Sequence, residues 1–453
     1  MIPVLTPAEM GAVDRDAPES VEVLVRRAAG AVARAAIQLL GRAYGARVVV
    51  VAGPGNNGWD GRVAGELLAA QGVRVTILDA LAAPDRLPAC DLVIDAAFGT
   101  GFRDAYTFPD TGGAPVLAVD IPSGISGLTG VAAGEPARAL ATVTFAALKP
   151  GLLMAAGPGH CGQVELADIG LDVSGATAHL VTDEDVVAWV PERAVDDHKW
   201  RHAVWLVAGS PEMPGAPRLA AMAALRGGAG YLRLSTPGVV APPAPIEAVV
   251  RPVAADGWAP SVIEGATRFA AIAVGPGLGR AEATAIDVRR LVEGVDRPLV
   301  IDGDALSALG SEAAEVVAGR SAPTVLTPHD GEFERLTGGP PGLDRIDAAR
   351  RLAAVTRATV LLKGPTTVVA DPTGACLLVR AGDQRLATAG TGDVLTGLVS
   401  AHLALGVPAS QAAAAAAHLH GLAAMLGPAR GLVASDLPDL VPLAWRYLLG
   451  DTE

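Results

Sequence analysis

The stretch from Thr388 to Gly397 combines a glycine-rich turn with one acidic residue at the start of an apolar helix. It reads Thr-Ala-Gly-Thr-Gly-Asp-Val-Leu-Thr-Gly, with a glycine on either side of Thr391 and Asp393 directly after them. The glycines let the backbone point several N–H groups at one place, and the helix predicted over Val394–Leu405 adds its positive end. The stretch predicts an anion pocket with a carboxylate beside it, as phosphoryl transfer requires. A glycine cap with an aspartate near a helix start is the common alternative.

Length, charge and cysteine usage limit the class of protein. The chain has 453 residues, which predicts two or three domains, and 51% of them are hydrophobic. A net charge of −13 argues against a nucleic-acid or anionic-membrane partner. No stretch of about 18 residues is free of polar groups, and the N-terminus lacks the pattern of a signal peptide. Three widely spaced cysteines fit a reducing, cytoplasmic location.

Two residue types are rare enough to be informative. Lysine occurs only as Lys149, Lys199 and Lys363, and asparagine only as the adjacent Asn56 and Asn57. Each one that remains is a candidate for a role that its usual substitute cannot fill, although chance placement stays open. Lys149 follows a predicted strand. It either neutralises a phosphate there or is an ordinary surface lysine.

The first 190 residues alternate predicted strands with helices. Helices are predicted over Thr6–Arg15 and Val21–Leu40, followed by a continuous β-forming run at Arg47–Ala52. Further strands are predicted at Val73–Asp79, Asp91–Asp95, Pro115–Asp120 and Thr142–Ala146. This alternation predicts an α/β fold with a Rossmann-like, doubly wound parallel sheet, whose ligand binds at the carboxyl ends of the strands.

Polar loops follow three of these strands. They are Gly53–Gly61 (Gly-Pro-Gly-Asn-Asn-Gly-Trp-Asp-Gly), Asp95–Gly101, and Val119–Gly124 (Val-Asp-Ile-Pro-Ser-Gly). Three such loops at one sheet edge suit a nucleotide, although each alone is also compatible with an ordinary turn. Their ligands for a cation are hard oxygen atoms, namely the Asn57 amide, the Asp95 carboxylate and the Ser123 hydroxyl. Such a set suits an alkali or alkaline-earth ion rather than zinc.

The three loops resemble the signature loops of NAD(P)H-hydrate epimerase, and the resemblance covers nearly all of residues 1–190. It implies that the hydrated nicotinamide dinucleotide is held by Asn56, Asn57, Gly58, Trp59, Asp60, Gly99, Thr100, Gly101, Phe102, Arg103, Asp104 and Ala105. It also implies that Asp120 contacts the damaged ring and that Asn57, Asp95 and Ser123 bind potassium.

We predict that Asp120 is the acid/base that assists interconversion at the hydroxyl-bearing ring carbon. The family usually has a second glycine where this chain has Trp59, whose ring would narrow the loop. A non-catalytic binding domain is therefore the alternative for the first half.

The second half shows a second α/β pattern. Residues 191–202 are charged and irregular and are predicted to link a domain of residues 1–190 to one of residues 203–453. Strands are predicted at Val204–Ala208, Tyr231–Ser235, Ile246–Arg251, Ala270–Val274, Pro298–Asp302, Thr324–Leu326, Thr359–Lys363 and Thr366–Ala370. A helical block over Ser410–Leu449 closes the pattern.

Four loop motifs occur in order in this half. Gly-Pro-Gly-Leu-Gly spans Gly275–Gly279, Thr-Pro-His-Asp-Gly-Glu-Phe-Glu spans Thr327–Glu334, and Lys-Gly-Pro-Thr-Thr spans Lys363–Thr367, before Gly390–Asp393. The series resembles NAD(P)H-hydrate dehydratase, a member of the ribokinase-like superfamily. The resemblance implies that the hydrate is bound by Gly277, His329 and Asp393, with Ala216 as a weaker candidate. It implies that the adenine nucleotide is bound by Lys363, Gly364, Pro365, Thr366, Thr367 and Gly392.

The two resemblances together predict one polypeptide with two enzymes. The first half would interconvert the R and S hydrates, and the second would dehydrate the S form with ADP as co-substrate and magnesium, giving AMP and phosphate. Asp120 and Asp393 are the predicted catalytic residues, and a homo-oligomer is expected. The alternative is a kinase for a small vitamin alcohol with a non-catalytic nucleotide-binding domain at its N-terminus, since the Gly-Thr-Gly-Asp turn would serve either reaction.

Overall fold

A computed structural model describes residues 1–102 and 104–451. The chain divides into two compact units, one of Ile2–Ala178 and one that runs from His179 onward and includes Met1. Among the described residues, no helix has both the length and the apolar character needed to cross a membrane. The domain limits predicted above, with a linker at residues 191–202, stay a prediction.

The first unit is an α/β unit built on a parallel sheet. Its strands are β1 (Ile2–Val4), β2 (Arg47–Ala52), β3 (Arg74–Asp79), β4 (Leu92–Ala96), β5 (Tyr106–Thr107), β6 (Val116–Val119), β7 (Gly134–Glu135), β8 (Ala141–Phe145) and β9 (Gln163–Ala167). Its helices are α1 (Pro7–Asp16), α2 (Val21–Leu40), α3 (Asn56–Ala69), α4 (Pro150–Leu153) and α5 (Gly157–His160). Six strands pair in parallel in the order β3-β2-β4-β6-β8-β9, and β5 pairs with β7.

Both faces of this sheet are covered, which explains why β2 is a continuous run of apolar residues. Val48 and Val50 face one core cluster with residues of α2 and α3, whereas Val49 and Val51 face a second cluster. The Thr6 hydroxyl caps α1 by accepting from the Glu9 N–H, and the Glu9 carboxylate accepts from the Thr6 N–H in return. The polar loops after β2, β4 and β6 are thereby held at one edge of a rigid sheet.

The second unit is a larger α/β unit. Its strands are β10 (Ala178–Leu180), β11 (Ala203–Val207), β12 (Tyr231–Ser235), β13 (Val249–Val250), β14 (Ala271–Val274), β15 (Leu299–Ile301), β16 (Thr324–Leu326), β17 (Thr359–Leu362), β18 (Thr367–Ala370) and β19 (Cys376–Val379). Its helices are α6 (Asp183–Trp189), α7 (Gly215–Arg226), α8 (Ala259–Gly265), α9 (Glu282–Gly294), α10 (Gly303–Leu309), α11 (Ala313–Ala318), α12 (Asp330–Thr337), α13 (Arg345–Thr356), α14 (Thr391–Ala404), α15 (Ala409–Leu426) and α16 (Leu437–Leu449). Short 3₁₀ helices span Ala266–Arg268, Gly310–Glu312, Gln384–Leu386 and Ala434–Asp436.

The strands of this unit lie in the order β10-β19-β18-β17-β16-β15-β14-β11-β12-β13. Neighbouring strands are parallel along the series β17-β16-β15-β14-β11-β12-β13. Strand β18 pairs antiparallel with both β17 and β19. Helix α14 is buried on all sides from Val394 to Ala404, between α7, α15 and the sheet. A helix that is apolar around its whole circumference belongs in a core, so its first turn is fixed against the loops at the sheet edge.

The predicted α/β class, with a parallel sheet in the first unit and a second α/β unit after it, is confirmed, and three predicted elements need correction. Strand β6 ends at Val119, because Asp120 turns out of the strand with a φ of 65°. The β13 strand covers only Val249–Val250 of the six residues predicted. Helix α14 begins at Thr391 rather than Val394, which puts Asp393 inside its first turn.

Candidate active sites

A cavity of about 580 Å³ opens at the carboxyl ends of the strands in the first unit. Its polar lining includes Asp14, Asn56, Asn57, Asp60, Thr100, Asp120 and Lys149. Its apolar lining includes Met10, Val21, Leu24, Val25, Ala28 and Phe98. A concave site with an apolar wall and a few convergent polar groups suits a small organic ligand that carries a reactive polar centre.

Asp120 is held in a strained conformation by a buried cation. A non-glycine residue with a φ of 65° persists where its surroundings fix it. Its Oδ1 accepts from Lys149 Nζ at 2.5 Å and from Thr144 Oγ1 at 3.0 Å. Lys149 is 1% exposed and also donates to the Phe145 carbonyl, so the surface position considered for it is wrong. The strand exit thus places the Asp120 carboxylate at the cavity beside an ammonium group.

Asp60 enters the same cavity from helix α3, where it is 8% exposed. Burial, followed by the negative charges of Asp120 and Asp14, raises the pKa of Asp60 to about 8. Burial also raises the pKa of Asp14 above its ordinary value. The cavity therefore contains an ion-paired carboxylate on Asp120 and, on Asp60, a carboxyl group that keeps its proton at neutral pH.

The three predicted cation ligands lie in the first turn of α3 (Asn57), at the end of β4 (Asp95) and in the turn after β6 (Ser123). Asp95 is fully buried; its Oδ1 accepts from Ser123 Oγ at 2.5 Å, and its Oδ2 accepts from the Ser123 N–H at 2.8 Å. Burial raises the pKa of Asp95 to about 6 although Ser123 donates to it. Asn57 packs against Gly99, and its buried Nδ2 has no hydrogen-bond partner among the described residues. A buried carboxylate whose described donors are all neutral leaves a negative charge that a bound cation would compensate, and Asn57 would offer such a cation its amide oxygen rather than the unpaired nitrogen.

The other residues predicted for this site separate into two groups. Those that line the cavity are Asn56, Gly99, Thr100, Gly101 and Phe102. Gly58 lies beneath it, where an added Cβ would come within 1.9 Å of the Gly53 carbonyl oxygen. Trp59 is 38% exposed, and Trp59, Asp104 and Ala105 are not part of the lining. Arg103 lies outside the described residues.

In the second unit, three strand ends and helix α14 meet around Asp302, which follows β15 and is 3% exposed. Its carboxylate accepts from Thr327 Oγ1 at 2.7 Å, from Thr396 Oγ1 at 2.6 Å and from Lys363 Nζ at 2.9 Å. We call these four residues the Asp302 cluster. Burial disfavours the ionised carboxyl, but the Lys363 ammonium and the two hydroxyl groups hold the pKa of Asp302 below its ordinary value. The cluster ties β15, β16 and β17 to α14.

Lys363 connects this cluster to the glycine turn. Its Nζ lies 3.5 Å from Glu332 Oε2 and would be 3.6 Å from a Cβ added at Gly392. Within the described residues, the N–H groups of Gly392 and Asp393 have no hydrogen-bond acceptor, as expected in the first turn of a helix. Two free amides, a helix N-terminus and an ammonium group thus lie together at the turn where the anion pocket is predicted, an arrangement suited to an anion.

Asp393 lies at this helix start and is half-buried. Burial, followed by the negative charge of Asp302, raises the pKa of Asp393 to about 7, although the Lys363 ammonium opposes the shift. A carboxyl group that ionises near neutral pH next to an anion pocket is suited to accepting a proton from a hydroxyl group.

The remaining predicted residues surround the same edge of the sheet. His329 caps helix α12, where its Nδ1 accepts from the N–H groups of Gly331 (3.0 Å) and Glu332 (3.2 Å), so its proton is on the exposed Nε2. Gly277 has a φ of 65°, and a Cβ there would lie 3.0 Å from Ala216 Cβ. The loop from Gly364 to Thr367 begins with two exposed residues, and Thr366 is buried.

Sequence reasoning missed Asp302, Glu332 and Thr396 and left the role of Lys149 open. Asp302 was placed at the end of a predicted strand, but no function was assigned to it. Ligand sites form at the carboxyl ends of parallel strands, so this position was an available signal. The scarcity of lysine was the available signal for Lys149. Thr396 carried no signal, because only the fold brings it to Asp302, 94 residues away.

Replacing Asp302 by asparagine is expected to destabilise the second unit by about 3–5 kcal/mol, because the ammonium of Lys363 loses its closer carboxylate in a buried site. Urea unfolding followed by tryptophan fluorescence measures the change. Asp256→Asn, which removes an exposed acid with no side-chain partner in the described structure, is the matched control. Equal unfolding midpoints for the two variants would contradict the assignment.

Family models match both halves of the chain. Residues 204–442 match the model described as NAD(P)H-hydrate dehydratase, and residues 21–88 and 79–151 match the model described as YjeF-related protein N-terminus. A bifunctional NAD(P)H-hydrate repair enzyme of Salinibacter ruber is 38% identical over 521 residues, which cover 97% of this chain and 95% of that protein. One of Mycobacterium leprae is 40% identical over 445 residues and covers 90% of each chain.

Solved structures resemble the second unit. The ADP/ATP-dependent NAD(P)H-hydrate dehydratase of Bacillus subtilis, co-crystallised with ATP and Mg²⁺, matches with a TM-score of 0.51 and 34% identity over 59% of this chain and 97% of that one. A ribokinase-like superfamily protein of Enterococcus faecalis matches with a TM-score of 0.51 and 21% identity over 60% of this chain and 96% of that one, which shows the fold. With both halves matched and the full-length relatives similar throughout, the chain belongs to the family of bifunctional NAD(P)H-hydrate repair enzymes.

Proposed function

We propose that this chain repairs hydrated NADH and NADPH with two catalytic sites. The first unit interconverts the R and S hydrates, and the second dehydrates the S hydrate with ADP, releasing AMP and phosphate. The observation that carries the proposal is the arrangement at α14, where two free amides and Lys363 face the same place as Asp393. Family membership supports the assignment of both reactions.

The dehydration follows from the charges at α14. The amides of Gly392 and Asp393 and the Lys363 ammonium hold the oxygens of the terminal phosphate of ADP. Ionised Asp393 takes the proton of the ring hydroxyl, whose oxygen attacks that phosphate as AMP leaves. The C–O bond then breaks, phosphate departs with the electron pair, and loss of a ring proton restores the dihydronicotinamide.

Magnesium would accompany the nucleotide rather than occupy a preformed protein site. Among the described residues, no group of three His, Cys, Asp or Glu side chains is placed to hold a metal ion. Mg²⁺ often binds through substrate phosphates and water with one or two carboxylates, and it would neutralise the phosphate charge. Glu332, next to Lys363, is a suitable carboxylate.

The substrate-binding roles follow the loops around each site. The hydrate in the second site contacts Gly277, His329 and Ala216, and the adenine nucleotide contacts residues 363–367. In the first site the hydrate is held by residues 56–60 and 99–105, next to Asp120. Potassium bound by Asn57, Asp95 and Ser123 would compensate the buried charge of Asp95 and order the loops that these residues belong to. A homo-oligomer and a cytoplasmic location stay part of the proposal.

Incubation of the protein with a mixture of R and S NADPH hydrates tests the second reaction. With ADP and Mg²⁺, we expect the absorbance of the reduced ring to return and AMP to form in equal amount. Parallel reactions with ATP show which nucleotide is preferred. A phosphorylated alcohol that accumulates without recovery of the absorbance would instead indicate a small-molecule kinase.

Asp120→Asn is expected to slow epimerisation of pure S hydrate by about 10²–10⁴-fold, because the site loses the group that exchanges protons with the ring hydroxyl. Chromatography that resolves the epimers measures the rate in the absence of nucleotide. Asp85→Asn, an exposed acid of the same unit, is the control. Normal interconversion by Asp120→Asn would show that the assignment is wrong, and no interconversion by the unaltered protein would favour a non-catalytic binding domain.

A further inference from the structure

Two of the three carboxyl groups that line the first cavity, those of Asp60 and Asp120, come from different elements of the fold. Asp60 belongs to the helix that follows β2, and Asp120 follows β6, while β4 lies between these strands in the sheet. Neighbouring strands are about 4.8 Å apart, so β2 and β6 are separated by roughly 10 Å. Asp60 reaches the cavity from α3 and Asp120 reaches it from the turn after β6, so a ring bound in the cavity can contact both carboxyl groups.

The two groups have different surroundings. The Asp120 carboxylate is paired with Lys149 and accepts a hydrogen bond from Thr144. The Asp60 carboxyl has no hydrogen-bond or ion-pair partner among the described residues, and it is directed into the cavity. Since burial and the charges of Asp120 and Asp14 raise the pKa of Asp60 to about 8, it carries a proton that it can donate. Two carboxyl groups with divergent environments are how one site supplies both an acid and a base.

We propose that Asp60 is a second catalytic residue of the epimerase, acting as the acid on one face of the hydrate ring while Asp120 acts as the base on the other. This inference rests on the proposed epimerase function. It assigns to Asp60 a proton transfer in addition to substrate binding.

Epimerisation then proceeds by loss and re-addition of water at the hydroxyl-bearing ring carbon. Asp60 donates its proton to the ring hydroxyl, and the C–O bond breaks with its electron pair going to oxygen, so water leaves. The lone pair of the adjacent ring nitrogen forms a C=N bond. A water molecule adds to the same carbon from the opposite face, its surplus proton passes to Asp120, and the C=N electron pair returns to nitrogen. The reverse reaction uses the two groups in exchanged roles, and proton exchange with solvent restores the resting state.

The first test is the rate and pH profile of Asp60→Asn in the full-length chain, with pure S hydrate and no nucleotide. We expect kcat to fall by about 100-fold or more, as for loss of a general acid. In the unaltered protein, kcat/KM should decrease as pH rises through about 8, because Asp60 must keep its proton. The variant should lack this decrease. The ionisable groups facing Asp60 across the cavity, among the described residues, are Asp14, Asp120 and Lys149.

Glu66→Gln is the matched control, because Glu66 lies on the exposed side of the same helix α3. It should keep both the rate and the decrease at high pH. An Asp60→Asn protein that keeps the normal kcat and the same profile, with only KM altered, would overturn the acid role and leave the epimerase function intact. An unaltered protein that does not interconvert the epimers would overturn the epimerase function itself.

The second test needs no variant. Epimerisation in water enriched in ¹⁸O should place one solvent oxygen on the ring for each inversion, measured by mass spectrometry during the first turnovers and corrected for the uncatalysed exchange. Inversion with retention of the original oxygen would overturn the two-face scheme, because it would require opening of the ring rather than departure of water.

Discussion

Asp393→Ala should reduce the rate of S-hydrate dehydration by about 10²–10⁴-fold while nucleotide binding is retained. The substitution removes the carboxylate at the α14 turn that accepts the proton of the ring hydroxyl in the proposed reaction. It leaves the amide of Gly392, the helix N-terminus and the Lys363 ammonium, which hold the phosphate in the proposed reaction. The loss should therefore appear in kcat and not in the dissociation constant for ADP.

The pH dependence of the dehydration rate is a second measurement of the role of Asp393. Burial and the charge of Asp302 raise the pKa of Asp393 to about 7, and the reaction needs the ionised carboxylate. In the unaltered protein, kcat/KM for the hydrate should therefore rise as pH increases through about 7. The residual activity of Asp393→Ala should lack this rise.

Recovery of the reduced-ring absorbance measures the rate, and isothermal titration calorimetry with ADP measures binding. Glu264→Ala, which removes an exposed acid on α8, is the control and should leave both quantities unchanged. Loss of ADP binding together with activity would indicate that Asp393 maintains the pocket. Loss of neither would show that it has no part in the reaction.

Lys149→Met should lower the stability of the first unit by about 3–5 kcal/mol and nearly abolish epimerisation, because breaking a buried ion pair leaves a charge without its partner. The side chains of Lys149 and Asp120 are 2% and 15% exposed, so little water reaches the pair. Asp120 also loses the contact that fixes its carboxylate, and this contact helps to keep its backbone in the left-handed conformation.

Urea unfolding of the full-length protein should show an earlier transition for the first unit and an unchanged transition for the second. Arg74→Met, which replaces an exposed cation on strand β3, is the control and should change neither transition. If Lys149→Met unfolds at the same urea concentration as the unaltered protein, the ion pair does not stabilise the unit. Full epimerase activity would likewise contradict the role given to Lys149.

The parts of the fold that could be predicted from sequence are those in which a local pattern determines the structure. Strands β2, β12 and β16 have the predicted limits, because each is an apolar run with clear ends. By contrast, β9 and β19 were missed. Strand β9 lies at the edge of its sheet and alternates exposed with partly buried residues, and β19 has only four residues and depends on pairing with β18.

The positions of the candidate sites could be predicted where a glycine-containing loop marks them in the sequence. The turn before Asp393 and the loop around Asn57 are local features, and the structure puts each at a sheet edge. Contacts between distant segments were not predictable in this way. Asp302 gains its partners from 25, 61 and 94 residues away, and only the packed sheet brings them together.

The left-handed conformation of Asp120 was also beyond sequence reasoning, because glycine is the residue that adopts it routinely and aspartate does so only occasionally. The strain is retained because Lys149, 29 residues further along the chain, fixes the carboxylate. A strand limit was therefore misjudged at the residue proposed to act as acid/base in the first unit. Such departures from local preference are expected at active sites, where the rest of the fold offsets the strain.

The most direct test of the account is a crystal structure of the protein with the S hydrate and an ADP analogue whose terminal phosphate cannot be transferred. We predict that the oxygens of that phosphate accept hydrogen bonds from the amides of Gly392 and Asp393 and lie next to Lys363. We also predict that the hydroxyl of the hydrate ring faces the Asp393 carboxylate. A nucleotide bound away from the α14 turn, or a ring hydroxyl directed away from Asp393, would contradict the account.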